Sequence, residues 1–191
     1  MFDRAVLGID PGLSRCGYGA IRRAGARVDV VAYGVLRTDP QAPLPERLAA
    51  LEADLEALVA EVQPGAVAVE RVLFQVNART AISVGQASGL ALAVAARAGA
   101  AVVQYSPNEV KLAVTGDGAA DKAAVQLMVT KLLDLPRAPN PPDAADALAL
   151  ALCHSWRARA DGEFAARASS ADTTSSRLQA AITAALARDG R

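Results

Sequence analysis

Apolar residues follow two different periods along this chain, and the switches between them set the order of elements. Val6, Leu7 and Ile9 form a short apolar run that reads as a buried strand. After a Pro11-Gly12 turn, Cys16 to Ile21 reads as its hairpin partner. The stretch RVDVVAYGVLRT, residues 27–38, gives a third strand. Leu48, Leu51, Leu55, Leu58 and Val62 then recur at three- and four-residue spacings. That period predicts an amphipathic helix over 43–62, with proline at its start. Pro64-Gly65 ends it, and AVAVE, residues 66–70, is a short buried strand finishing in a carboxylate.

The second half alternates differently. Residues 78–99 predict a long helix rich in small side chains, 100–106 a strand, and 107–116 a short helix ending at Gly116. Further helices are predicted over 119–135 and 141–156, the last with proline at its start. This order implies an α/β fold: a five-stranded mixed sheet with helices on both faces. Residues 157–191 are polar and rich in Ser and Thr, so they read as a flexible tail after a domain over 1–156. Leu178, Ile182 and Leu186 give that tail the spacing for a short helix.

Composition narrows the function classes little. With 191 residues and 52% apolar positions the chain is long enough for one substantial core. The formal net charge is zero, so no global basic field announces nucleic acid. Locally, residues 71–137 hold seven basic side chains against four acidic ones. No basic-then-apolar leader opens the sequence and no uncharged apolar run reaches membrane-spanning length, so a cytoplasmic protein without membrane contact is expected. Cys16 and Cys153 lack metal-site spacing and read as reduced core thiols. His154, the single histidine, lies eleven residues beyond Asp143 and reads as structural.

The chemistry lies in the carboxylates. Asp10 ends the first strand and Glu70 the fourth. If those strands are parallel neighbours, both side chains reach one sheet edge, where open α/β sheets place their sites. Asp143 and Asp146 stand three apart at a helix start, hence on one face. Taken singly, each has an ordinary explanation: Asp10 as a turn former, Asp143 favoured by the helix dipole, Glu70 paired with Arg71 or Arg79. Taken together, four like charges would repel without a cation, and four hard oxygen ligands suit Mg²⁺ or Mn²⁺.

Four stretches resemble the RuvC family of Holliday junction resolvases, the crossover junction endodeoxyribonucleases on a ribonuclease H-like fold. They are LGIDPGLSRCGYG, VAVERVLFQVNARTAISVGQASG, YSPNEVKLAVTGDGAADKAAVQLMV and PPDAADALALAL, in family order across roughly residues 4–156. The resemblance implies Asp10, Glu70, Asp143 and Asp146 as catalytic ligands of two Mg²⁺ or Mn²⁺ ions. It puts the family's basic positions on Lys111 and Lys122, two of only three lysines in the chain. By the residues alone these remain open as solvated helix lysines. The family's junction-probing loop falls on RVLFQVN, where the position three past Glu70 that often holds an aromatic residue is Leu73, a departure from the family pattern, with Phe74 next. Packing of Phe74 on the 78–99 helix is the competing reading. Leu73, Phe74, Arg79, Lys111 and Lys122 form the expected DNA-contacting set.

The implied reaction is symmetric phosphodiester hydrolysis in four-way junction DNA, leaving 5′-phosphate and 3′-hydroxyl ends, in recombination and repair. Two cuts require two sites, so a twofold homodimer is expected, with the small-residue face at Gly85, Ala87 and Gly89 as interface or as core. The resemblance also implies the RuvA–RuvB branch-migration complex as a partner. Two other classes share parts of the pattern. Sugar kinases and Hsp70-type ATPases open with a similar strand and turn but normally duplicate the domain. A non-catalytic junction-binding protein would keep the fold without needing the carboxylates.

Overall fold

In the computed structural model of the chain, residues 4–72 and 78–160 are described. Five strands form one sheet: β1 (Val6–Asp10), β2 (Arg15–Ala24), β3 (Arg27–Arg37), β4 (Ala66–Glu70) and β5 (Ala101–Tyr105). Their order is β3-β2-β1-β4-β5. The first three pair antiparallel, whereas β4 and β5 continue parallel to β1. Parallel neighbours need crossovers, and α1 (Leu44–Val62) and α2 (Ala78–Arg97) provide them. Then come α3 (Pro107–Thr115), α4 (Lys122–Leu132) and α5, residues 142–160. The chain divides into units Met1–Ser155 and Trp156–Arg191. Of the second unit residues 156–160 are described and are helical, four past the predicted end at 156; the rest of the expected tail lies outside the described residues.

The two sheet faces carry different side chains, which decides how closely helices approach. Leu7, Ile9, Val67 and Val69 share a core with Leu51, Leu55 and Leu58 of α1 and Ala87, Ala91, Val94 and Ala95 of α2. A fully buried leucine such as Leu51 or Leu55 contributes about 1.5–3 kcal/mol. On the other face the alternation leaves Gly8, Gly17 and Gly19. A Cβ added at Gly8 would stand 1.9 Å from the carbonyl oxygen of Ala147 in α5. Only a bare backbone admits the helix at that depth. The helix in turn is small-sided, with Ala144, Ala145, Ala147, Ala149 and Ala151 all buried.

Local chemistry sets the helix boundaries. Ser106 and Glu109 form a reciprocal capping box that starts α3, and Gly116 closes it with φ of 80°. The predicted helix over 119–135 begins later, at Lys122, because the Asp121 side chain accepts from the Ala124 N–H at 2.8 Å and caps it. This places Lys122 in the first turn of α4, at an end that faces α5.

Candidate active site

Strand register brings the first two carboxylates together. β1 and β4 pair in parallel with Ile9 opposite Val69, so Asp10 and Glu70 are the next residues on adjacent strands. Both share the sheet face of Gly8 and Ala68, on which α5 lies. Their side chains are close enough for each to shift the other's titration. Asp143 and Asp146 approach from the first turns of α5, both acting on Asp10 through their charges. The backbone at Asp143 is held by the sheet itself, since a Cβ at Gly17 would lie 2.2 Å from the Asp143 carbonyl oxygen.

This convergence is electrostatically costly. Burial, and then the charges of Glu70, Asp146 and Asp143, push the Asp10 carboxyl up to about 8, against a smaller opposing effect of Lys122. Burial, followed by the charge of Asp146, also raises Glu70, while the Asp10 hydrogen bond, Lys122 and Lys111 pull the other way. Two neighbouring carboxyls that share a proton are the expected result when like charges meet out of water.

Basic side chains compensate in part. Arg15 Nη2 donates to Asp143 Oδ1 at 3.2 Å, and Lys122 Nζ donates to Asp146 Oδ2 at 3.1 Å. Asp146 accordingly raises Lys122, first by charge and then by the hydrogen bond. Arg15 Nη2 also lies 3.2 Å from Asp143 Oδ2 without hydrogen-bond geometry, so this buried oxygen has no hydrogen-bond partner. Among the described residues no three acidic, histidine or cysteine side chains already stand as a closed metal-holding cluster. Two of the four carboxylates are engaged with basic partners instead. The donor set nevertheless fits a hard divalent cation: every donor is oxygen, one buried carboxylate oxygen is unsatisfied, and the acidic cluster retains a proton that a cation would replace. Cys16 is no competitor, because burial pushes its thiol up to about 12.

A hydrogen-bond network fixes the turn between Asp10 and Arg15. Thr38 donates to the Leu13 carbonyl at 2.6 Å, and Arg47 of α1 reaches Thr38 Oγ1 at 3.1 Å and Ser14 Oγ at 2.6 Å. The sequence reading missed Arg15, Thr38 and Arg47, since their partners lie far away in the chain. Arg15 to Asp143 spans 128 residues, and no local period announces such a contact.

Other expected residues fall as follows. Lys111 is close enough to Glu70 to lower its pKa. Arg71, offered as a partner for Glu70, donates to the Gln104 carbonyl at 3.2 Å. His154 Nδ1 shares a 2.9 Å hydrogen bond with the hydroxyl of Tyr105, the residue opposite Glu70 in the β4–β5 register. Leu73 and Phe74 lie outside the described residues, as does the side chain of Arg79. The small-residue face of α2 needs a correction: Ala87 is fully buried in the core, while Gly85 and Gly89 have open space where a Cβ would be. Residue 87 stands about half a turn from both 85 and 89, so they cannot all share a face.

Comparison with known proteins places the chain's relatives in one family. A family model described as crossover junction endodeoxyribonuclease RuvC matches residues 6–154. A Salinispora arenicola protein named crossover junction endodeoxyribonuclease RuvC is 55% identical over 164 residues, covering 85% of this chain and 94% of that protein. The structure of Thermus thermophilus RuvC in complex with a Holliday junction substrate is 38% identical, with a TM-score of 0.77, and covers 83% of this chain and 96% of that one. The yeast mitochondrial Holliday junction resolvase Ydc2, at 15% identity and a TM-score of 0.59 over 79% of this chain and 78% of its own, shares the fold.

Proposed function

The chain belongs to the RuvC family of crossover junction endodeoxyribonucleases, and from that premise we propose that it resolves four-way DNA junctions by hydrolysing one phosphodiester in each of two opposed strands. The observation that carries this reading is the meeting of Asp10 and Glu70, at adjacent parallel strand ends, with Asp143 and Asp146 from the first turns of α5. These four would hold two divalent cations, Mg²⁺ or Mn²⁺. The chemistry such ions supply when bound is activation of water and neutralisation of charge on the departing 3′ oxygen, giving 5′-phosphate and 3′-hydroxyl ends. The chain's own contribution is a fixed acidic socket, held by sheet register and by the seating of α5 on glycines, with cationic side chains at its rim.

The working unit in this reading is the domain over 1–156, acting in the cytoplasm in recombination and repair. No helix among the described residues is long and apolar enough to cross a membrane. A twofold dimer places two sites on one junction, and the face of α2 with Ile82, Gly85 and Gly89 is the candidate contact: Ile82 is 63% exposed and both glycines are open. Leu73 and Phe74 are proposed to enter the junction as apolar wedges beside the metal-binding Glu70. Branch-migration proteins of the RuvA–RuvB kind would deliver the substrate. The test is a nicking assay on a synthetic junction. Cleavage should require Mg²⁺ or Mn²⁺ and disappear in EDTA, while a linear duplex stays intact. A protein that binds junctions yet never cuts them in any divalent ion would be a scaffold, and the catalytic reading would fall.

The two lysines should separate. Lys122 bonds Asp146 within the site, so Lys122→Gln should slow cleavage by about 10- to 100-fold with a smaller loss of junction binding. Lys111→Gln, which acts on Glu70 more weakly than Lys122 does, should weaken binding and flatten its salt dependence by about one unit. Cleavage rates and salt titrations on both variants decide this. Wild-type behaviour in both would make them ordinary solvated helix lysines.

A further inference from the structure

Arg15 begins β2 on the same strand face as Gly17, directly under the start of α5, and its guanidinium leans on Asp143. Several features set this contact apart from a structural ion pair. The Arg15 side chain is 50% exposed. A single nitrogen serves both carboxylate oxygens at 3.2 Å, longer than the roughly 2.7–2.9 Å of a well-formed charge-assisted bond. One of those oxygens, buried, keeps no hydrogen bond. Across the sheet Arg15 faces Arg37, its partner in the β2–β3 register. Like charges directly opposite on adjacent strands repel, so this corner of the sheet is itself short of an anion. Arg15 therefore has one carboxylate neighbour it satisfies poorly and one cationic neighbour it must tolerate.

We propose that Arg15 has two alternative partners: Asp143 in the metal-free protein, and a backbone phosphate of the junction once a divalent cation sits among the carboxylates. The inference rests on the four-carboxylate reading given above. A divalent cation competes with Arg15 for the same oxygens, with twice its charge and no side-chain entropy to lose. Displaced, the guanidinium stays tethered to β2 by the Thr38–Arg47 network that pins residues 13 and 14. Together with Arg37, its register partner, it then offers two neighbouring cations to a DNA backbone. Metal loading and phosphate capture thereby become coupled through one side chain. Asp143 loses a cation that screens it from metal, and the DNA gains the same cation. Lys122 has the corresponding place at Asp146 from the opposite side.

The direction of the effect on metal binding separates this role from a structural one. If Arg15 merely holds Asp143 in place, removing it weakens metal binding; if it competes, removal strengthens it. Mn²⁺ titration of the full chain without DNA should give about two- to fivefold tighter binding in Arg15→Gln and near wild-type binding in Arg15→Lys. Junction binding, read by rapid-mixing fluorescence before any strand is cut, should weaken in Arg15→Gln with Mg²⁺ present. Its salt dependence should become flatter by about one unit. In EDTA the same variant should bind the junction as the wild type does. Unchanged or weaker Mn²⁺ binding in Arg15→Gln, with its melting temperature preserved, overturns the proposal, as does a junction-binding loss that is equal with and without metal. The same titration on Asp10→Asn tests the reading beneath it: Mn²⁺ binding untouched by that change would remove the four-carboxylate site itself.

Discussion

Asp10→Asn should abolish junction cleavage, by about 10³-fold or more, while leaving junction binding in place. Asparagine keeps the shape of the side chain, yet it removes one anionic ligand from the centre of the cluster. The same change has a stability signature that a purely structural aspartate would lack. The Asp10 carboxyl stands at about 8 in the folded chain against 3.8 ordinarily, raised by burial and then by its acidic neighbours. Between those values the folded state holds a proton that the unfolded state has lost, so the wild type loses stability as pH rises through this window. Asparagine titrates nowhere. In EDTA the variant should therefore melt higher than the wild type at pH 8, with the gap closing toward pH 4, and added Mg²⁺ should narrow the gap at pH 8 by stabilising only the wild type. Gel assays of cleavage and binding, with thermal melts across pH, check both halves. A variant that cuts at near the wild-type rate takes Asp10 out of the site; a gap in metal-free melting temperature between variant and wild type that does not widen from pH 4 to 8 shows that Asp10 carries no such repulsion.

How far the sequence could be read follows from which interactions are local. Strand and helix order depended on periods within ten or twenty residues, and the observed elements follow it closely, from Val6–Asp10 through Pro107–Thr115. The start of α4 was missed by three residues because a cap is a single hydrogen bond, from the Ala124 N–H to Asp121, inside a run that is helix-favouring throughout. The parallel pairing of β1 with β4, which brings Asp10 beside Glu70, could be stated only as a condition. The interface face of α2 was read from small-residue composition, which does not distinguish Ala87 pointing into the core from Gly85 and Gly89 pointing out. Arg15 had no signal at all: an arginine at a strand start is unremarked until a carboxylate from 128 residues away arrives above it. One signal was present and unused. Gly8, Gly17 and Gly19 share a face with Ala66 and Ala68, and a sheet face without side chains invites a helix to lie on it.

That bare face makes the second large effect. Gly8→Ala should destabilise the fold by about 3 kcal/mol or more, lowering the melting temperature by roughly 10 °C. The new methyl would sit 1.9 Å from the Ala147 carbonyl oxygen and 2.8 Å from the Ala151 nitrogen, and both are backbone atoms of a helix that cannot yield by changing a rotamer. The whole of α5 has to lift, and its buried row from Ala144 to Cys153 lifts with it. Gly17→Ala acts at the other end of the same contact, 2.2 Å from the Asp143 carbonyl oxygen and 3.2 Å from the Asp143 Cβ. Only the first turn of α5 has to move there, and that turn carries Asp143. A displacement of about 1 Å at a reacting group can cost about 10²-fold in rate, so Gly17→Ala should cut slowly while still folding. Gly118→Ala is the control, since its nearest neighbour would be the Asn108 carbonyl oxygen at 3.5 Å, an ordinary contact. Melting temperatures and junction cleavage on the three variants test the packing directly. A Gly17→Ala protein with the wild-type rate and melting temperature would mean that α5 does not rest on β2, and with it would go the account of how Asp143 is held over Asp10.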